Sequence, residues 1–171
     1  MIAGTTLNTF NNHCDRVRMA NLAQCINVLQ AVILTNEEKL VLTPTYHVME
    51  MYNVHQGALM LPLMVTSVDY KMGKEKLKAI SASASKDKNG ATHISVVNID
   101  ANAAQDVSIE VNGLSFKNVT GRILTSDKIQ NYNSFDNADK IKPAVFNGAM
   151  VSGQTIKLKM PPYSVIVLEL K

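Results

Sequence analysis

The spacing of apolar residues changes character once along this chain. Between Val17 and Leu34 nearly every residue is apolar or small, the interruptions are the uncharged amides Asn21, Gln24, Asn27 and Gln30, and the last charge is Arg18. Such a run reads as buried, and a buried amide costs about 1–3 kcal/mol unless it is hydrogen-bonded. Amides three residues apart lag by about 60° per step on a helix turning about 100° per residue, so they spiral around it and leave no clean polar face. One long helix and a helix followed by a strand are both open, and the spiral favours the second: a helix near 12–23, then a strand near 25–34 rich in the β-branched Ile26, Val28, Val32 and Ile33. A near-continuous apolar strand is what a parallel sheet covered on both faces demands.

On either side the pattern is different. Residues 1–11 are polar and unpatterned and read as a loop; 35–43 reads as a second long loop, in which Thr35 and Glu38 have the spacing of a capping box. Pro44 suits the first turn of a helix that carries Tyr46, His47, Met49, Glu50, Met51 and Tyr52 until Gly57 stops it. From Leu61 onward the period is two: Val107, Ile109 and Val111 alternate with polar residues, as do Ile156, Leu158 and Met160. Further strands are expected near 61–70, 76–84, 92–99, 118–125 and 164–170, with turn signals at Lys88-Asn-Gly90, Asn112-Gly113 and Ser152-Gly153. Short antiparallel strands with regular turns predict a β-sandwich. The Asn- and Asp-rich stretch 125–142, with Tyr132 and Phe135 embedded, is too long for a simple hairpin and reads as a loop packed by its aromatics.

Length and composition narrow the class. With 171 residues the chain can hold one ordinary domain plus part of another, whereas an eight-stranded α/β barrel needs about 250 residues. A hydrophobic content of 46% with 18% charged residues is that of a globular chain, and a net charge of +3 gives no footprint for nucleic acid. The basic cluster Lys71, Lys74, Lys76 and Lys78 contains Glu75 and reads as a solvated strand edge. There is no basic segment followed by an apolar core at the N-terminus and no uninterrupted apolar run of membrane-spanning length, so no membrane partner is expected. Cys14 and Cys25 would stand about 16 Å apart on a continuous helix, beyond disulfide reach, and read as buried free thiols.

Little of this is catalytic chemistry. His47, Glu50 and His55 share a helix, but spacings of three and five are not the i, i+4 pair of a zinc peptidase, so no metal and no cofactor is assigned. A retaining glycosidase needs two carboxyl groups about 5 Å apart. The acids here, Glu37, Glu38, Glu50 and Asp69 among them, fall in loops, on an outer helix face or at strand edges, so no catalytic residue is assigned.

The segments Arg18-Met-Ala-Asn-Leu-Ala-Gln-Cys-Ile-Asn-Val28, Leu42-Thr-Pro-Thr-Tyr-His-Val48, Asn131-Tyr-Asn-Ser-Phe135 with Pro143, and Pro161-Pro-Tyr-Ser-Val165 resemble, in the same order, the family 51 glycoside hydrolases, the α-L-arabinofuranosidases. The resemblance spans essentially the whole chain and implies the C-terminal part of such an enzyme. On that reading residues 1–58 are the end of a (β/α)8 barrel, residues 59–171 are a jelly-roll-like antiparallel β-sandwich, and the barrel's two catalytic glutamates lie upstream of Met1. It further implies a retaining enzyme that removes terminal arabinofuranosyl groups from arabinan, arabinoxylan or arabino-oligosaccharides, a homo-oligomeric whole, and an isolated chain that is inactive. Gln24, in Ala23-Gln-Cys-Ile-Asn-Val28, is the position the family places against the arabinofuranosyl ring; an amide offers a donor and an acceptor to adjacent sugar hydroxyls, while Asn27 is structural. Two other classes stay in play. A non-catalytic carbohydrate-binding module would need a stacking platform, and the chain has no Trp and only 5% aromatics. A structural sandwich would leave the apolar face of 17–34 exposed and prone to self-association.

Overall fold

The structure, a computed structural model, describes residues 1–23 and 25–171, without the side chain of Met72. The chain opens with helix α1 (Ile2–Asn12), then the hairpin β1 (Ile33–Asn36) and β2 (Lys39–Leu42), then helix α2 (Pro44–Met51) prolonged by a 3-10 turn (Tyr52–His55). Eleven strands follow: β3 (Leu59–Leu61), β4 (Asp69–Met72), β5 (Glu75–Lys78), β6 (Ile80–Lys86), β7 (Thr92–Asn98), β8 (Gln105–Glu110), β9 (Val119–Leu124), β10 (Ala144–Phe146), β11 (Met150–Ser152), β12 (Thr155–Met160) and β13 (Ser164–Leu170). They form a six-stranded sheet in the order β10-β9-β13-β7-β6-β3, a three-stranded sheet β11-β12-β8, and the separate hairpin β4-β5, with every named pairing antiparallel.

The six-stranded sheet is covered on both faces, and alternation along its strands divides the labour. Ile94 and Val96 of β7 and Ile166, Leu168 and Leu170 of β13 join Ile156, Leu158 and Met160 of β12 in the core between the two sheets. The intervening Val97, Val165 and Val167 turn the other way and pack with Val48, Met51 and Tyr52 beneath α2. On this second face β6 presents Ser81, Ser83 and Ser85 rather than apolar residues, and the helices answer with hydrogen bonds. Asn8 is fully buried: its amide donates to Ser81 Oγ at 3.2 Å, and its carbonyl accepts from Ser83 Oγ at 2.8 Å and from the Tyr52 hydroxyl at 2.9 Å. Asn11 and Asn12 add bonds to Ser83 Oγ and to the Ala82 carbonyl. His55 lies with Nδ1 2.7 Å from Ser85 Oγ and Nε2 2.7 Å from Ser95 Oγ. The helix comes this close because Gly4 has no side chain: a Cβ there would stand 2.9 Å from Val97 Cγ2.

The sandwich, the helix begun by Pro44 and strands β7, β8, β9, β12 and β13 match the sequence pattern, and Gly90 and Gly153 turn with φ of 90° and 60°; the stretch 61–70 holds only the end of β3 and the start of β4, and no pattern marks β10 or β11. The cap of α2 is Thr43, whose hydroxyl accepts from the Tyr46 amide. At the corner Pro161-Pro-Tyr-Ser164, Ser164 Oγ donates to the Pro161 carbonyl and the buried Asn98 amide donates to the same oxygen at 2.9 Å.

The first forty residues depart from expectation. The helix is Ile2–Asn12, not 12–23, because the face it turns to the sheet carries the buried Gly4 and Asn8 and the half-buried Asn11, and a stripe of polar and small residues carries no hydrophobic period. No strand fills 25–34; Ile26 makes one isolated parallel bridge to Ile33, and a barrel end is not visible among the described residues. Nor is 17–34 buried: Met19 is 74%, Ile26 54% and Leu29 96% exposed, with Ala31 and Val32 tucked in. The stretch 35–43 is the β1-β2 hairpin rather than a loop, with Glu37 at a φ of 53° in its turn. In 125–142 the anchor is Asn133, not an aromatic: its amide donates to the Leu42 and Ile141 carbonyls at 2.8 Å, and Tyr132 is exposed.

Burial, reinforced by neighbouring His93, pushes the His55 pKa down from 6.5 to about 4. The folded chain therefore refuses a proton that the unfolded chain accepts. This contribution to stability is complete above pH 6.5 and is lost as pH falls from there through about 4, by about 3 kcal/mol. Urea unfolding of the wild type and of His55→Gln at neutral pH and near pH 4 checks this: the variant should show a visibly flatter dependence. Parallel pH dependences would contradict it.

Candidate functional site

Gln24, the position singled out in the sequence, lies outside the described residues. Its flanks are described. After α1 the chain turns at 13–16 and runs without regular structure to Leu22. Cys25 closes a loop, its carbonyl accepting from the Val32 and Ile33 amides at 2.9 and 3.1 Å and its Sγ donating to the Leu22 carbonyl. Cys14 and Cys25 are both free thiols, but Cys14 is half-buried and Cys25 exposed rather than buried, since nothing among the described residues covers the loop that Cys25 closes. Asn27 has a φ of 53° and clamps Thr35 three ways: its amide reaches the Thr35 carbonyl and hydroxyl, and its carbonyl accepts the Thr35 amide at 2.8 Å. Every side-chain group of Asn27 is thereby spent on the loop, which fits a structural role.

The segment carrying these residues faces α2 across a cleft of about 410 Å³ that is open to solvent. Asn21, Leu22 and Cys25 form one wall, and Tyr46, Glu50 and Asn53 form the other. The helix residues fall at i, i+4 and i+7, so a single face of α2 and its 3-10 extension looks into the cleft. Glu50 is fixed there by Arg122 of β9, whose two terminal nitrogens donate to its two oxygens at 2.8 and 2.9 Å. Such a fork-on-fork pair has directional strength that a lysine could not supply. The pattern of Thr43 to Asn53 exposes the helical spacing in the sequence, but nothing in the sequence marks Arg122, about seventy residues away, as the partner of Glu50.

The three residues weighed as metal ligands go separate ways. Glu50 is bound to Arg122, and His55 is held between Ser85 and Ser95. His47 Nε2 is buried with no hydrogen-bond partner among the described residues. Burial lowers the His47 pKa, against the opposing pull of Glu50 and Asp139. Among the described residues no three His, Cys, Asp or Glu side chains gather as a metal site.

The carboxylates have structural work as well. Asp69 is held below the usual carboxylate range, first by the hydrogen bond from Lys78 and then by Lys76. Burial would raise Asp87, but the bond from His93 and the amides of Ala91 and Asn89 bring it down instead. A general acid needs the opposite shift. The exposed hairpin β4-β5 that carries Asp69 also carries Lys71, Lys74, Lys76 and Lys78, and it is a solvated edge.

Comparison with known proteins gives these features a family. A family model described as "Alpha-L-arabinofuranosidase C-terminal domain" matches residues 1–164. An intracellular exo-alpha-L-arabinofuranosidase of Bacteroides ovatus is 42% identical over 99% of this chain and 33% of its own length. The crystal structure of a family 51 arabinofuranosidase from Xanthomonas axonopodis pv. citri superposes with a TM-score of 0.96 at 42% identity, over 99% of this chain and 34% of that one. The family 51 enzyme AbfB of Bifidobacterium longum gives 0.89 at 25% identity, again over 99% and 34%. The chain thus spans about a third of the length of the relatives it matches. It belongs to the α-L-arabinofuranosidase C-terminal domain family, as found in glycoside hydrolase family 51.

Proposed function

We propose that this chain serves as the C-terminal part of a retaining α-L-arabinofuranosidase, one that removes terminal non-reducing α-L-arabinofuranosyl residues from arabinan, arabinoxylan or arabino-oligosaccharides. The observation that carries the reading is the match to arabinofuranosidases along 99% of the chain but only a third of their length. Residues 1–58 are then the end of the catalytic barrel and residues 59–171 the sandwich. The exposed Met19, Ile26 and Leu29 support this: the segment is not a strand here, and apolar side chains left in solvent are what a stretch that packs against further elements would show. Gln24 contributes hydrogen bonds to the sugar at the barrel mouth, and Glu50 with Arg122 holds the wall opposite its segment.

The purified 171-residue chain should show no turnover of an aryl α-L-arabinofuranoside. A longer protein carrying it in frame with a barrel should turn the substrate over, and Gln24→Ala should lower its kcat/KM by about ten- to a hundredfold, the worth of one or two hydrogen bonds to a reacting sugar. Turnover by the short chain, or an unaltered Gln24→Ala enzyme, would refute the assignment.

The same reading makes the whole protein a homo-oligomer and the isolated chain sticky. Sedimentation velocity over a wide concentration range should show the isolated chain gaining mass as it is concentrated, through the apolar edge at 19–29. A monomer at every concentration would count against it.

A further inference from the structure

A second cleft, of about 320 Å³, lies on the sheet beside α2. Its floor is a cross-strand row: Thr120 of β9 pairs with Glu169 of β13, and Glu169 pairs with His93 of β7. Asn53 and the Glu50–Arg122 pair stand along the helix side, and Val54 and Val167 supply apolar surface. One atom in this row is unmet. His93 is 5% exposed, its Nε2 lies 3.4 Å from Asp87 Oδ2, and its Nδ1 is buried with no partner among the described residues. Nε2 sits at Asp87 and Nδ1 is enclosed by the protein, so His93 helps form the floor of the cleft while Nδ1 itself is out of a ligand's reach.

The charges select the class of ligand. Glu50 is answered by Arg122, and Glu169 by Lys171 at 3.0 Å, so the lining is close to neutral. Two carboxylates repel an anion, and no three His, Cys, Asp or Glu side chains gather here as cation ligands among the described residues. The carboxylates accept, Arg122 donates, and Asn53 and Thr120 can do either. Adjacent acceptors beside aliphatic surface are what a neutral polyhydroxylated ring requires, its hydroxyls donating and its C–H face packing. We propose that this cleft binds a saccharide unit through Glu169, Arg122 and Thr120. That the saccharide contains arabinose rests on the function proposed above.

Titration of the isotope-labelled 171-residue chain with arabinotriose, xylotriose and maltotriose, followed by amide signals, tests this. Saturable shifts at Thr120, Arg122 and Glu169 are expected with arabinotriose. Glu169→Ala and Arg122→Lys, both at accessible positions, should each weaken binding by about tenfold, which is roughly 1.4 kcal/mol. No saturable shift with any of the three sugars overturns the proposal, as does binding that neither substitution weakens. If xylotriose or maltotriose binds while arabinotriose stays silent, the saccharide cleft stands and the claim that its sugar contains arabinose is overturned. If none binds while a longer protein cleaves arabinofuranosides, the cleft alone fails.

Discussion

Strands β7 and β13 are buried on both faces, and the rest of the molecule is arranged to meet that demand. One face is met by apolar surface, from Ile156, Leu158 and Met160 of the smaller sheet. The other is met only in part that way, because β6 turns a row of serines toward the helices. Three hydroxyls in a dry interface destabilise the fold unless each finds a partner. Asn8, Asn11 and His55 are those partners, and Gly4 lets the helix approach to the distance their short side chains require. A hydrogen-bonded seam of this kind is more exacting than an apolar one, since each bond depends on geometry and not merely on area.

The seam has a consequence for the first half of the chain. It fixes α1 and the end of α2 to the sheet, and residues 13–43 are slung between those two fixed points. The loop closed by Cys25 and the Asn27–Thr35 clamp is thereby held over the α2 face that carries Tyr46, Glu50 and Asn53. Arg122 then ties the same face to β9. Helix α2 is the wall common to both clefts, with Glu50 and Asn53 lining each. Glu50, Asp69 and Glu169 act as counterions and Asp87 and Asp100 as turn caps, a division of labour that fits a supporting part of a hydrolase better than its catalytic centre.

Legibility followed the hydrophobic term. Where burial is apolar, the sequence shows it: β13 reads Ser-Val-Ile-Val-Leu-Glu-Leu and lies where its pattern places it, and β12 alternates as an amphipathic strand does. Where burial is polar, the sequence is mute. The stripe Gly4, Asn8 and Asn11 looks like a loop, although it is the face by which a helix meets the sheet, and Ser81, Ser83 and Ser85 look like a solvent face, although they lie in an interface. At 17–34 the mismatch runs the other way: apolar content predicts burial, whereas Met19 and Leu29 stand in solvent. As for sites, Gln24 became visible through the family resemblance, and the cleft at His93 became visible only through strand register, which joins Thr120, Glu169 and His93 across three strands.

If the polar seam makes the helices and the sandwich one cooperative unit, their amides must open together. Native-state hydrogen exchange would follow the amides of α1 alongside those of β7 and β13 as denaturant is raised. The seam predicts that α1 converges on the same opening free energy as the two central strands, and that Ser83→Ala lowers both sets equally. Exchange of α1 at a much smaller free energy, with β7 and β13 still fully protected, would show that the helices merely rest on the sheet, and the structural basis for holding the Gln24 segment in place would be lost.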